Sequence, residues 1–211
     1  MLSVEIAGKT LDIYPNKALR IRETNTLVVA DLHVGKAKHF RKHGLAVPSA
    51  TAREDLASLH ALLDDVACEE LIILGDLGHS SYNDEWRDFK RVIDAYPDVR
   101  FCLTRGNHDR EPSTFYYSLG ISSVKPFFIR NEILLSHEAQ QSKYYNIIGH
   151  EHPAVLLTGK GRERMRLPCF YFNEKRGVIP AFTRFSGHHT LRSVKGLRVF
   201  PVFQSSIWEI Q

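Results

Sequence analysis

Sulfur is scarce in this chain: two methionines and three cysteines, Cys68, Cys102 and Cys169, among 211 residues. An odd number of widely spaced cysteines with apolar neighbours argues against a disulfide framework or a thiolate metal site, and reads as buried packing. The opening residues lack the basic start, apolar run and small-residue cleavage site of a secretory leader, so a cytoplasmic address is the expectation. No window approaches the roughly 20 apolar residues that a membrane helix needs, and no membrane association is expected. Repeats, low-complexity tracts and linkers are also missing. At this length the chain fits one domain, 1–211, around a single core.

Net charge is a modest +4, but it is unevenly spread. Between Lys160 and Arg198 ten basic residues, Arg162, Arg164, Arg166, Arg176 and Arg184 among them, face only Glu163 and Glu174. That excess of eight leaves the remainder of the chain acidic. A basic third is a footprint for a polyanion such as nucleic acid. Scattered solvated side chains on strand edges and loops would give the same composition, and the count alone leaves both open.

What is present is a change of rhythm. Val4, Ile6, Leu11 and Ile13 alternate with polar residues around Gly8-Lys9, which predicts an opening hairpin. Three apolar runs follow, Thr26–Ala30, Leu71–Leu74 and Phe101–Leu103, and read as buried, largely parallel strands. Between them, Ala52, Leu56, Leu59, Leu63 and Val66 after Pro48-Ser49 form one amphipathic helical stripe. Trp86, Phe89, Val92 and Ile93 within Asp84–Ala95 form a second. Ile133–Leu135 and Ile147–Ile148 are two more runs, the first pairing with Pro126–Ile129 through a turn at Arg130-Asn131-Glu132. Beyond Pro153 the segments Cys169–Phe172, Val178–Phe182, Leu197–Val202 and Ser206–Ile210 are β-rich.

The informative residues stand where each apolar run ends. They are Asp31-Leu32-His33, Gly75-Asp76, Gly106-Asn107-His108-Asp109, Ser136-His137 and Gly149-His150-Glu151-His152. In open α/β sheets ligands bind outside the carboxyl ends of strands, so these groups are expected to converge although they span more than a hundred positions. Carboxylate, amide carbonyl and imidazole make a mixed oxygen and nitrogen donor set without thiolate, which suits Mn²⁺, Fe²⁺ or Zn²⁺. Each residue also has a plainer reading. A lone histidine such as His137 is ordinarily a hydrogen-bonded group, and an aspartate after a strand ordinarily caps a helix. Five strands delivering such residues in order weigh against coincidence.

The ordered series Asp-x-His, Gly-Asp, Gly-Asn-His-Asp, His and Gly-His-x-His resembles the motif set of the calcineurin-like metallophosphoesterases, over residues 26 to 153. In its wording, Asp31-Leu32-His33-Val34-Gly35-Lys36 followed by Gly44, Val47-Pro48 and later Pro180-Ala181-Phe182, it is most similar to the ligase-associated DNA-damage-response endonucleases, the PdeM family. The resemblance implies a four-layer α/β/β/α sandwich, two mixed sheets with flanking helices. It implies that Asp31, His33 and His152 hold one divalent ion, that Asn107, His137 and His150 hold another, and that Asp76 bridges them. It further implies that His108 protonates the leaving group, that Asp109 orients His108, and that two ions, Mn²⁺ foremost, activate water for in-line attack on the phosphate. DNA as substrate, and a working association with a DNA ligase, a helicase and an exonuclease, are implied in the same way.

Residues flanking the motifs admit two readings each. Arg110, Arg105, His79, Lys36 and His39 could touch substrate or be ordinary surface groups. His188-His189 could offer a metal pair or form a turn, and Tyr116-Tyr117 and Tyr144-Tyr145 could stack on bases or pack in the core. A hydrolase of small nucleotides or phosphomonoesters remains the alternative enzyme, since fold does not fix substrate. A catalytically silent scaffold is a third class, and it would be expected to lack a ligand or the proton donor; here neither is missing.

Overall fold

A computed structural model describes residues 1–36, 50–79, 83–159, 161, 163–184 and 186–210. His39, Gly44, Val47, Pro48, Ser49, Lys160 and Arg162 lie outside the described residues, as does the side chain of Ala52.

The opening hairpin forms as the alternation predicts. Strands β1 (Leu2–Ile6) and β2 (Lys9–Ile13) pair antiparallel across Ala7 and Gly8. Gly8, at φ 71°, takes the left-handed turn position with no Cβ to strain. β3 (Leu19–Ile21) and β4 (Thr26–Val29) extend the meander, with a 3₁₀ turn at Arg22–Thr24 between them. From β4 the sheet becomes parallel, through β5 (Glu70–Leu74), β6 (Arg100–Thr104) and β7 (Ser123–Lys125). The crossovers carry α1 (Ala50–Asp65), α2 (Asp84–Ala95) and α3 (Ser113–Ser118). The Asn83 side chain accepts the Glu85 N–H and so satisfies one of the otherwise unpaired donors at the start of α2.

Alternate residues of β4 to β6 face opposite ways, and both faces are apolar. Leu27, Val29, Leu71, Ile73, Phe101 and Leu103 meet Leu59 and Leu63 of α1 and Trp86 and Phe89 of α2. Val28, Ile72 and Cys102 meet a second sheet, through Leu135, Ile147, Phe170, Phe172 and Phe200. In that sheet β8 (Phe127–Arg130) and β9 (Ile133–Ser136) form the expected hairpin, and β10 (Tyr145–Ile148) runs parallel to both β9 and β13 (Arg176–Val178). β11 (Pro153–Thr158), β12 (Arg164–Phe172), β14 (His189–Thr190), β15 (Arg198–Phe203) and β16 (Ser206–Ile207) complete it.

The architecture is the two-sheet mixed α/β sandwich with flanking helices. Helices α1 to α3 pack on the first sheet. The outer face of the second carries a smaller apolar cluster of Ile148, Cys169, Tyr171, Val178 and Val199, with Leu157, Leu191, Leu197 and Ile210 against it. A part-buried ion pair ties the sheets together at the end remote from the strand-end motifs. The Arg130 guanidinium on β8 donates two bonds of 2.7 Å to the Glu70 carboxylate on β5. Cys102 and Cys169 are buried, Cys68 is half-buried, and all three thiols are free. No helix of the described residues is long and apolar enough to cross a membrane.

Candidate metal centre

Strand ends of both sheets converge on one edge. β4 leads into Asp31 and His33, β5 into Gly75 and Asp76, β6 into the Gly106–Asp109 loop, β9 into His137, and β10 into His150 and His152. Donor atoms of Asp31, His33 and His152 lie within 4.8 Å of one another, and so do those of Asp76, His137 and His150. The two triads abut. His137 Nδ1 is 3.7 Å from Asp31 Oδ1, and the His150 N–H donates to Asp31 Oδ2 at 3.0 Å.

The backbone is bent sharply to achieve this. Eleven described non-glycine residues have positive φ, and five of them are Asp31, His33, Asp76, His150 and His152. A left-handed conformation costs an L-residue on the order of 1–2 kcal/mol, and such strain persists where the surroundings over-determine it. Backbone bonds do so here: the Asp31 N–H donates to Gly75 O and the His33 N–H to Asp76 O. Gly106 allows a close approach. A Cβ there would stand 2.3 Å from both the backbone nitrogen and Oδ1 of Asp76.

Whether these residues suit metal ions is decided by what their donor atoms lack. Asp31 Oδ1, both ring nitrogens of His33 and His152 Nε2 are buried and have no hydrogen-bond partner among the described residues. Unpaired buried polar atoms are costly, and four around one point are accounted for if a cation sits among them. His152 Nε2 and Asp31 Oδ1 are 3.4 Å apart without hydrogen-bond alignment, a separation typical of two ligands about 2.1 Å from a shared ion. Tautomers agree. The His137 Nδ1–H must donate to Leu74 O at 3.0 Å, because a carbonyl only accepts, and Nε2 is left with its lone pair. The His152 Nδ1–H donates to Gly187 O at 3.1 Å in the same way. His150 Nδ1 and His137 Nε2 stand 3.0 Å apart in the second triad. The residues therefore fit two divalent ions.

Electrostatics run the same way. Burial, and then the positive fields of Lys36, His152, His79 and His108, push His33 down to about 2, so the imidazole is neutral and its lone pair free. Lys36 is lowered by burial, against the opposing pull of Asp31 and Asp76, so its ammonium stands within the field of both triads. Burial raises Asp109 to about 6, although the N–H groups of Gly106 and Gly78 hold it back.

The remaining sequence candidates divide. Asn107 is exposed on the loop whose next N–H, that of His108, donates to Asp76 Oδ1 at 2.9 Å. The His108 ring is 42% exposed, with Nε2 3.9 Å from Asp76 Oδ2, and packs against His79 at 4.4 Å and His33 at 5.7 Å between centroids. His79 also meets His33 edge-on at 5.3 Å. Asp109 bonds elsewhere than to the His108 ring: its carboxylate accepts from Gly78 N, Gly106 N and the Tyr116 hydroxyl, tying the Asp76 loop to the Asn107 loop. Arg105 is consumed in the same loop, donating to Asp109 O, Glu111 O and Ser113 Oγ. Arg110 is exposed beside it. Tyr116 is buried core, and Tyr144 and Tyr145 line a cavity with Lys9, Lys143 and Lys175 at the amino end of β10, away from the metal side. His189 opens β14, its N–H donating to His152 O, and His188 stands in the irregular segment just before it.

Nothing in the sequence marks the carbonyls of Leu74 and Gly187, which orient two histidines. Any residue type carries a carbonyl, so no side-chain signal marks them. The strap at Phe182 and Thr183, whose N–H groups donate to Ala30 O and Asp31 O, was equally silent.

Comparison with known proteins agrees with this geometry. The calcineurin-like phosphoesterase family model matches residues 24–192. Among solved structures, the nuclease MPE of Pseudomonas putida superposes with a TM-score of 0.82 at 28% identity, covering 99% of each chain. A protein of unknown function from Aquifex aeolicus aligns at 17% identity over 65% of this chain and 82% of its own, with a TM-score of 0.43. A conserved uncharacterized protein of Streptococcus pneumoniae aligns at 11% identity over 88% of this chain and 95% of its own, with a TM-score of 0.37. No curated protein matches in sequence. With two abutting donor triads at its converging strand ends and a family match over most of its length, the chain belongs to the calcineurin-like phosphoesterases.

Proposed function

We propose that this chain is a binuclear metal-dependent phosphodiesterase that cleaves DNA, with Mn²⁺ as its working ion. The observation that carries the reading is the pair of abutting donor triads, in the first of which four buried donor atoms lack a hydrogen-bond partner among the described residues. In this reading Asp31, His33 and His152 hold one ion, and Asn107, His137 and His150 the other. Asp76 bridges, since a carboxylate can offer one oxygen to each; asparagine would do so only with loss of charge. When bound, two divalent ions supply acidification of a water and neutralisation of phosphate charge.

The protein's own groups supply the rest. His108 is exposed enough to meet a substrate while its backbone is anchored to Asp76, and it donates the proton that the departing oxygen requires. Asp109 acts as a positioning residue, bracing the loops of Asp76 and His108. Lys36, His79 and Arg110 complete the substrate surface. DNA is favoured over a small ester by the likeness to the Pseudomonas putida nuclease over 99% of both chains. Manganese is favoured by donors of oxygen and nitrogen alone. One domain over 1–211 is supported by the bonds that tie Phe182 and Thr183 back to Ala30 and Asp31. The reading extends to a cytoplasmic address, for which the free thiols speak, and to work alongside a DNA ligase, a helicase and an exonuclease.

Metal-stripped protein supplied with Mn²⁺ is expected to nick supercoiled plasmid and to hydrolyse bis-p-nitrophenyl phosphate, and to do neither in chelator. Hydrolysis of the small diester alone would remove DNA from the reading and leave a small-ester hydrolase. Failure on both would end it.

A further inference from the structure

The hairpin of β11 and β12 starts at the residue after His152 and so projects directly from the metal centre. Its register sets Leu156 opposite Arg166 and Thr158 opposite Arg164, which puts all four on one face. Further along β12 that face carries Phe170 and Phe172, inside the sandwich. Where the hairpin runs past the sandwich, phenylalanine gives way to arginine. Both arginines are exposed, and among the described residues neither side chain has an ion-pair partner. Three other arginines of this third of the chain are neutralised, Arg176 by Glu151 at 3.0 Å, Arg184 by Glu54 at 3.2 Å and Arg198 by Glu209 at 2.7 Å, while Lys175, Arg192 and Lys195 are exposed but lie off this face.

At the foot of the arginine face lies a cavity of about 630 Å³, walled by Pro168 of β12, Asp55 of α1, Phe182, His188, Gln204 and Lys17. Lys17 Nζ donates to Thr183 O at 3.0 Å, which leaves two of its three donors for a ligand. The Asp55 carboxylate is already engaged by the Thr183 hydroxyl and the Arg184 N–H. His188 in the cavity wall stands between Gly187, whose carbonyl accepts from His152 Nδ1, and His189, whose N–H donates to His152 O, and Pro168 continues the alternation of Arg164 and Arg166, so the cavity adjoins both the first triad and the arginine face.

We infer that the Arg164 and Arg166 face and the adjoining Lys17 cavity form a track for the phosphate backbone of a polynucleotide strand whose scissile bond lies at the metal centre. The inference rests on the nuclease reading above. Alternate residues of a strand are about 6.6 Å apart, which spaces the two guanidiniums along a chain of phosphates rather than on one. Unpaired arginines bind phosphate oxygens without reading bases, so the track is indifferent to sequence. The cavity is of the size that takes a small ligand, with a cation at one side and Pro168 and Phe182 as apolar walls, which suits one flanking nucleotide.

The test compares wild type with the Arg164→Ala/Arg166→Ala and Arg164→Lys/Arg166→Lys double variants, all loaded with Mn²⁺. Binding of a fluorescent phosphorothioate oligodeoxynucleotide is titrated against salt. Cleavage of an ordinary oligonucleotide is divided by hydrolysis of bis-p-nitrophenyl phosphate. In the alanine variant the slope of log K against log salt is expected to flatten by about 1.4, at about 0.7 per lost contact to a single strand. The cleavage ratio is expected to fall about tenfold. The lysine variant should keep the wild-type slope. If wild type cleaves the oligonucleotide and the alanine variant matches it in slope and ratio, the track is wrong and the nuclease reading stands. If wild type hydrolyses the small diester but neither binds nor cleaves the oligonucleotide, the nuclease reading fails and takes the track with it.

Discussion

Asp76→Asn is expected to lower kcat/KM for a phosphodiester about a thousandfold or more, because several kcal/mol of transition-state charge stabilisation depends on both ions being held together. Folding is not where this variant should fail. Asp76 is 3% exposed and 3.6 Å from His137, which is itself 3.7 Å from the buried Asp31, so without ions its charge is a burden on the fold rather than a support. The amide keeps an acceptor oxygen for the His108 N–H, which now bonds to Asp76 Oδ1. Metal-free variant should therefore melt at or slightly above the metal-free wild type. Added Mn²⁺ should raise the melting temperature of wild type, since an ion that binds only the folded state stabilises it by mass action, and should raise that of the variant less. A variant that loses activity while keeping the full metal-induced shift would show that Asp76 does not bridge.

His108→Ala should separate two substrates that the metal centre treats alike. A DNA strand departs as an alkoxide and needs a proton in the transition state; p-nitrophenolate leaves as a stable anion and does not. Loss of a positioned proton donor ordinarily costs on the order of 10²–10⁴. That full loss is expected on DNA, with less than about tenfold on bis-p-nitrophenyl phosphate. The ring is 42% exposed and its contacts are with His79, His33 and Asp76, so its removal opens no core. Equal losses on both substrates would make His108 a group that binds or polarises the phosphate. A loss on neither would move the donor to His79, whose ring lies 4.4 Å away.

Much of this site could be read from the chain because strand-end chemistry is local. A buried strand shows as an apolar run, and the next few residues must turn, so Asp31, Asp76, His137 and His150 announce themselves by position and type. Their convergence followed from parallel strands sharing an end. Helices α1 and α2 were legible from their stripes, and β8 with β9 from the turn at Asn131 and Glu132, both of which take positive φ. Other features depend on contacts between distant segments and leave no local trace. Asp109 was expected to orient His108, yet its carboxylate finds Gly78 and Gly106, and no spacing reveals which donors a buried acid will meet. The short strands β3, β7 and β14 and helix α3 have too few residues for a period to show. The basic third looked uniform in composition. Only the contacts of the folded chain separate the exposed Arg164 and Arg166 from Arg176, Arg184 and Arg198, which are held by carboxylates.

The most direct test counts metal. Protein stripped of metal, reconstituted with Mn²⁺ and freed of excess by gel filtration should retain two ions per chain, one for each triad. His33→Ala, which touches only the first triad, and His150→Ala, which touches only the second, should each retain one. Two ions in wild type falling to one in each variant is the expected result. No bound metal in wild type, or a count that neither variant changes, would contradict the binuclear centre on which the proposed chemistry depends.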